Sequence, residues 1–327
     1  MNVFVTGGTG FTGAALVERL LADGHSVTVL DNKPGLIADK LRAAGAEIHF
    51  GSITDRDSVA AAIGKPEVVF HLAAAFRETG ASDALYKSVN VDGTRITVEE
   101  SIRVGARKIV YCSTQGVHGH IDHPPGDENS PIAPADYYQQ TKYEGELVLE
   151  EFADANIEFT TLRPTAIYGP GDPERFVMIY RRAKKGFFPI FGTGQAFYHP
   201  VYIDNLVDAF VLSMEQGKGA GEAYIIGDEQ YFSIRALVHL VAKSIDAEVS
   251  TPTLPLMPLI VAGHVCEKIC KPFGINPPIF PRRVDWFRQM RAFRIDKAKR
   301  DLGYEPSIGI EEGLRRTGVW YIENNYI

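Results

Sequence analysis

Apolar and polar positions alternate along the first half of the chain in two rhythms. "NVFVT" (2–6) is a short β-branched and aromatic run that stops at glycines, as a buried strand does. "FTGAALVERLLADG" (11–24) then sets Leu16, Val17, Leu20 and Leu21 at helical spacing and ends on Gly24. "SVTVLD" (26–31) reads as a second strand. Strand-like runs recur near 46–50, 67–72, 107–112 and 157–162, with helical segments near 55–63, 84–104 and 136–154. Strands that alternate with helices bury both faces of a parallel sheet, so the pattern predicts an α/β, doubly wound fold.

After residue 165 the rhythm breaks. Pro and Gly cluster at 169–173 and 186–194, a helix is predicted near 203–216 and a strand over 222–227. The remainder is mostly helical and Pro-punctuated. The expected division is a first domain of 1–170 plus 200–228, with a smaller, mostly helical one of 171–199 plus 229–327.

A chain of 327 residues can bury a core of that extent. Its 34 Lys and Arg against 41 Asp and Glu give a net charge of −7, which argues against a nucleic-acid partner. Cys112, Cys266 and Cys270 form no disulfide framework, which points to a reducing compartment. The N-terminus does not read as a signal peptide and no run of about 18 apolar residues occurs, so a cytoplasmic location without a transmembrane segment is expected. From Leu254 the chain is apolar and then basic, with ten Lys and Arg against two Asp over 268–300. Two readings stay open: a lid or peripheral membrane patch, and a core helix followed by a solvated basic helix.

Candidate chemistry begins at "TGGTGFTG" (6–13), between the first strand and the first helix. Glycines there permit a tight turn and let backbone N–H groups approach a pyrophosphate at a helix N-terminus. Asp31, at the end of the second strand, can accept the ribose hydroxyls of NAD and would repel the 2′-phosphate of NADP; Lys33 could reach that phosphate. NAD is therefore the expected cofactor and NADP the lesser one. In "PADYYQQTKYEGE" (134–146), Tyr138 and Lys142 are four apart and share a helix face, whereas Tyr137 pairs at that spacing with Thr141. The histidines of "HGHIDH" (118–123) invite a metal, but the segment is a loop without identifiable supporting ligands, so none is expected.

Together with "HLAA" (71–74), "NVDGT" (90–94), "YCSTQGVHG" (111–119), "LRPTAIYGPGD" (162–172) and "HPVYIDNLVDA" (199–209), these motifs resemble the extended short-chain dehydrogenase/reductases over most of the chain. The resemblance implies a Rossmann domain and a homodimer. It implies that Gly7, Gly10, Phe11 and Thr12 meet the pyrophosphate, and Asp31 and Asn32 the adenosine ribose. Leu72, Ala73, Ala74, Asn90, Cys112 and Pro164 would build the cofactor wall, beside Tyr138 and Lys142. Ser52 stands where the family usually has an Asp, which leaves the adenine to Ser52, Ile53 and backbone groups. Thr114, Tyr138 and Lys142 would be the catalytic set, with Ser113 the alternative to Thr114. Phe76, Gln115, His118, Thr165 and Tyr198 would face the substrate.

Three reactions share this architecture: alcohol–ketone exchange, epimerisation, and dehydration or decarboxylation. The last uses an acidic residue after the Thr, and Gln115 and Gly116 cannot serve. Nucleotide-sugar epimerases carry an Asn where Thr165 stands and an Arg before 199, absent from "QAFYHP". The chain looks more similar to the 3β-hydroxysteroid dehydrogenase-like and dihydroflavonol-reductase-like branch, to which "RRVDWFRQMRAFRIDKAKRDLGYEP" (282–306) also bears a likeness. A hydride-transferring oxidoreductase for a bulky hydrophobic substrate is expected, with a nucleotide-sugar epimerase second.

Overall fold

The computed structural model describes residues 1–76, 82–172, 176–270, 284 and 286–327. Its centre is a seven-stranded sheet of β1 (Asn2–Thr6), β2 (Ser26–Asp31), β3 (Glu47–Phe50), β4 (Val68–His71), β5 (Lys108–Cys112), β6 (Glu158–Pro164) and, later in the chain, Glu222–Ile226. That last strand is β11, after the short β7 (Ala166–Tyr168), β8 (Ile190–Phe191), β9 (Phe197–Tyr198) and β10 (Pro200–Tyr202). The order is β11–β6–β5–β4–β1–β2–β3 and every pairing is parallel. This is a doubly wound, Rossmann-type sheet.

Alternation along the strands feeds two cores. Val3, Val5, Val27 and Val29 pack with Leu16, Val17 and Leu20 of α1 (Phe11–Ala22) and with Leu206 and Phe210. Phe4, Leu30, Val69 and Ile109 pack on the other face with Val59 and Val98. Strand order reverses between β1 and β4, the switch point at whose C-terminal ends α/β sheets bind ligands.

Two elements depart from the predicted pattern. A short helix, α2 (Ala38–Ala43), lies between β2 and β3 where none was predicted; six residues with only Ala38 and Leu41 buried carry too little periodicity to read. The helix predicted over 84–104 is α4 (Asp83–Lys87) and α5 (Gly93–Arg103) joined by a π-helical turn at Ser88–Asp92. Between α2 and α4, α3 spans Arg56–Ala62.

Beyond residue 165, β10 pairs with β7, while β12 (Phe232–Ser233) pairs with β9 and β13 (Thr253–Leu254) with β8. The last two ladders tie 171–199 to 229–327. At the sheet edge, the Ile225 N–H donates to Glu128 Oε1 at 2.9 Å, and Lys297 Nζ donates to the Ala223 carbonyl at 2.9 Å. Lys297 also pairs with Glu222, Lys299 with Glu229 and Arg300 with Asp301. These three cations of the predicted basic run thus serve the fold, and Lys271, Arg282 and Arg283 lie outside the described residues. The apolar stretch before them is not a core helix. In the helix Leu256–Cys270, Met257, Val261, Val265 and Ile269 are each at least half exposed. Among the described residues no helix is long and apolar enough to cross a membrane.

Candidate active site

The glycine turn is shaped by steric need. Gly7 has φ +70°, and a Cβ on it would stand 2.7 Å from the Ala73 nitrogen; one on Gly13 would stand 2.1 Å from the Gly7 carbonyl oxygen. Gly10 caps α1 without a side-chain bond, so the first-turn N–H groups of Phe11 and Thr12 have no side-chain cap. Asp31 holds the turn in place: its Oδ2 accepts from Thr9 N at 2.9 Å and Thr9 Oγ1 at 2.8 Å, and its Oδ1 from Asn32 N at 2.8 Å. Gly35 closes against the Thr9 carbonyl, where a Cβ would have no room. Ser52 hydrogen-bonds Thr54, and Ile53 is buried against Gly93.

The wall opposite is a chain of hydrogen bonds. Ala73 N donates to Thr6 Oγ1 at 3.2 Å, and that hydroxyl meets His71 Nδ1 at 2.7 Å. With Nδ1 accepting, His71 Nε2 carries the proton toward Thr94 Oγ1 at 2.9 Å, and Thr94 donates to the Asn90 carbonyl. Burial pushes His71 down to about 3, so it stays neutral. Asn90, inside the π-helical turn, accepts from Ala75 N at 2.8 Å and donates to Thr141 Oγ1 at 3.0 Å. The segment Leu72–Phe76 is thereby fastened to α6 (Tyr137–Glu151).

Helix α6 starts where Asp136 accepts from Gln139 N at 2.9 Å. Gly145 lets it approach closely, since a Cβ there would stand 2.3 Å from the Tyr111 hydroxyl. Tyr138 is half-buried, with Phe76 edge-on at 4.9 Å between ring centroids and Tyr86 at 6.4 Å from both Tyr138 and Tyr137. One turn on, Lys142 is 1 % exposed and its Nζ has no hydrogen-bond partner. The ammonium stands 4.1 Å from the centre of the Tyr111 ring. Burial pushes it down to about 8, against the opposing pull of Cys112 and Glu146. A buried ammonium without a partner is costly, and it is the kind of group that awaits a ligand's hydroxyls.

Thr114 follows β5, half-buried, and its hydroxyl accepts from Gly116 N at 3.1 Å. Ser113, the alternative, points the other way: it is buried and its hydroxyl donates to Glu146. Gln115 Oε1 and Thr165 Oγ1 are buried without partners, at the ends of the adjacent strands β5 and β6. Pro164 closes β6. Tyr198 lies among aromatic rings, 6.1 Å from Phe176 and 5.9 Å from Trp286.

His118 is fully buried, with Nε2 facing Arg163 Nη1 at 3.2 Å and Nδ1 facing the Ser130 carbonyl at 3.0 Å. His120 instead accepts from Met290 N, and His123 is exposed. Among the described residues no three His, Cys, Asp or Glu side chains are grouped to hold a metal. Residues that sequence reasoning missed are Thr9, Gly35, Thr6, Thr94, Gly145 and the Glu146–Arg163 pair. Their motifs were visible, but their partners lie tens of residues away in the chain.

Residues 3–227 match the NAD dependent epimerase/dehydratase family. The chain is 32% identical to the decarboxylating sterol-4-alpha-carboxylate 3-dehydrogenase of Saccharomyces cerevisiae, over 98% of this chain and 98% of that one. It is 30% identical to the 3beta-hydroxysteroid-dehydrogenase/decarboxylase isoform 1 of Arabidopsis thaliana, over 96% of this chain and 78% of that one. Its structure is similar to that of a UDP-glucose 4-epimerase from Thermotoga maritima with UDP-glucose, with a TM-score of 0.79 and 28% identity over 99% of this chain and 100% of that one. A dTDP-glucose 4,6-dehydratase from Streptomyces venezuelae with NAD bound gives 0.81 and 25%, over 99% and 98%.

Proposed function

The chain belongs to the NAD dependent epimerase/dehydratase family, and within it we propose a hydride-transferring oxidoreductase that interconverts a secondary alcohol and a ketone on a bulky, sterol-like substrate. The observation that carries this reading is the buried, unpartnered Lys142 ammonium one helical turn from Tyr138. The names of the sterol and hydroxysteroid relatives support the substrate class, as does the aromatic surround of Tyr198.

The site fits NAD on two counts: the orphaned Lys142 Nζ, and a glycine cradle that a Cβ would fill. Gly7, Gly10, Phe11 and Thr12 would hold its pyrophosphate, and Asp31 with Asn32 its adenosine ribose. Ser52 and Ile53 would lie toward the adenine. Leu72, Ala73, Ala74, Asn90, Cys112 and Pro164 would form the wall, and Lys142 would take the remaining ribose. NAD supplies the hydride acceptor or donor when bound. Tyr138 takes or returns the proton at the substrate oxygen. A phenol ordinarily titrates near 10, and the Lys142 ammonium favours its phenolate. Thr114 hydrogen-bonds the same oxygen and holds it in line. Phe76, Gln115, Thr165 and Tyr198 would border the substrate. On this reading 1–170 with 200–228 holds the cofactor, and 171–199 with 229–327 the substrate. A cytoplasmic homodimer completes the proposal, resting on the free thiols and the family resemblance.

Gln115 argues against dehydration, which needs a second proton-transfer group. It does not argue against loss of CO2. Where oxidation leaves a ketone β to a carboxylate, the C–C bond breaks to release CO2 and its electron pair passes to the ketone oxygen. Solvent protonates the resulting enolate, so no protein acid after Thr114 is needed. The second reading, an epimerase, has the structural likeness to the Thermotoga enzyme in its favour. The test is a panel of hydrophobic secondary alcohols, with and without a β-carboxylate, beside UDP- and GDP-sugars, following free NADH and sugar stereochemistry. Stoichiometric NADH with an alcohol supports the proposal. An epimerised sugar nucleotide without net NADH overturns it.

A further inference from the structure

Glu146 follows Lys142 by one turn of α6, as Lys142 follows Tyr138, so the three share a helix face. The Glu146 carboxylate is fully engaged. It accepts from Ser113 Oγ, and it takes Arg163 Nε at 3.0 Å and Nη2 at 2.5 Å. The remaining arm of the guanidinium reaches His118 Nε2 at 3.2 Å. Arginine only donates, so that nitrogen must hold a lone pair, and the proton of His118 sits on Nδ1 toward the carbonyls of Ser130 and Pro131. Every member of this set is buried.

A buried ion pair contributes little net stability over apolar side chains of the same volume, so stability alone does not explain this one. Its neighbours do. Ser113 precedes Thr114, and its N–H donates to the Leu162 carbonyl at 2.7 Å, one residue before Arg163. Lys142 interacts with neutral His71, the Tyr111 ring, Cys112 and Glu146. Glu146 is the nearby carboxylate among them, and its charge opposes the pull of burial on the ammonium.

We propose that Glu146, backed by Arg163 and His118, is the positioning residue of the site: it places a carboxylate one helical turn from the Lys142 ammonium and, through Ser113, sets where the Thr114 hydroxyl stands. The consequence for catalysis rests on the roles proposed above for Tyr138, Lys142 and Thr114. The effect on Lys142 does not, and can be read without substrate.

The experiment follows the Lys142 side chain by NMR in protein labelled with 13C at lysine Cε, assigned with Lys142→Met, across pH in the wild type, Glu146→Gln and Ser113→Ala. In Glu146→Gln the Lys142 titration should fall by about one pH unit, the size expected on losing a nearby opposite charge. Alcohol oxidation should then need higher pH, because a less charged lysine leaves the phenolate less stable. Ser113→Ala uncovers no charge. It should lower kcat about tenfold, within the range that misplacement of a reacting group costs, with KM for NAD unchanged. An unmoved Lys142 titration in Glu146→Gln overturns the proposal. If that variant does not fold, wild-type kcat in Ser113→Ala overturns it instead. A shifted titration with no dependence of turnover on Tyr138 would leave the charge coupling standing and refute the functional reading.

Discussion

Replacing Lys142 with Met should stabilise the protein in the absence of cofactor while abolishing its activity. Burial takes the ammonium from 10.5 to about 8, and Nζ has no hydrogen-bond partner. At about 1.36 kcal/mol per pH unit, holding the charge costs the folded chain on the order of 3 kcal/mol. The sign follows from proton uptake. Below the folded value of about 8, the lysine is charged both folded and unfolded, and the whole cost is present. Between there and 10.5 the folded chain releases its proton first, so this group's contribution to stability rises with pH. Methionine keeps the length without the charge, at the loss of the contact with Tyr111. The Met variant should therefore exceed the wild type by about 1–3 kcal/mol at neutral pH, with the gap narrowing above pH of about 8. Urea unfolding followed by circular dichroism, without NAD, measures this directly. Titrating groups that do not interact with Lys142 cancel in the difference; His71, Cys112 and Glu146, which do, contribute the remainder. Saturating NAD should reverse the order, since a ligand stabilises the chain that binds it better. A Met variant less stable than the wild type at neutral pH would show that the ammonium is not held at a cost, and the reasoning would fail.

Tyr138→Phe should cut turnover by about 10²- to 10⁴-fold, the usual contribution of a positioned acid or base, with NAD affinity within a few-fold. Tyr137→Phe should be mild, and steady-state kinetics that exchanged the two behaviours would refute the helical register. Asp31→Asn keeps an oxygen for the Thr9 bonds but removes the charge, so titration should show NADP binding gaining on NAD. An unchanged ratio would mean that Asp31 shapes the turn without selecting the cofactor.

Much of this was legible in the sequence because it depends on local rules. The strand–turn–helix at 2–22 and the shared face of Tyr138 and Lys142 need only periodicity and spacing. The choice between Ser113 and Thr114 needs more. Adjacent residues at a strand end face opposite sides, and which side is which was decided by Glu146, 33 residues on. The contact of His118 with Arg163 is hidden for the same reason, since the two are 45 residues apart. The π-helical turn that aims Asn90 leaves no periodic trace, and Asp31 hides a second role as anchor of Thr9.

The side chains at the outer edge of β11 bear on how the protein can meet its own copies. An open edge offers a row of N–H and carbonyl groups to any passing strand, including one from an unfolding neighbour. Here Glu128 occupies the Ile225 donor and Lys297 the Ala223 acceptor, so each stands in for one contact of a missing eighth strand. A strand arriving there would have to evict two ionised groups and leave them without these partners. Ribbon-like growth from that flank is thus opposed by two side chains from outside the strand. On that side the sheet is finished.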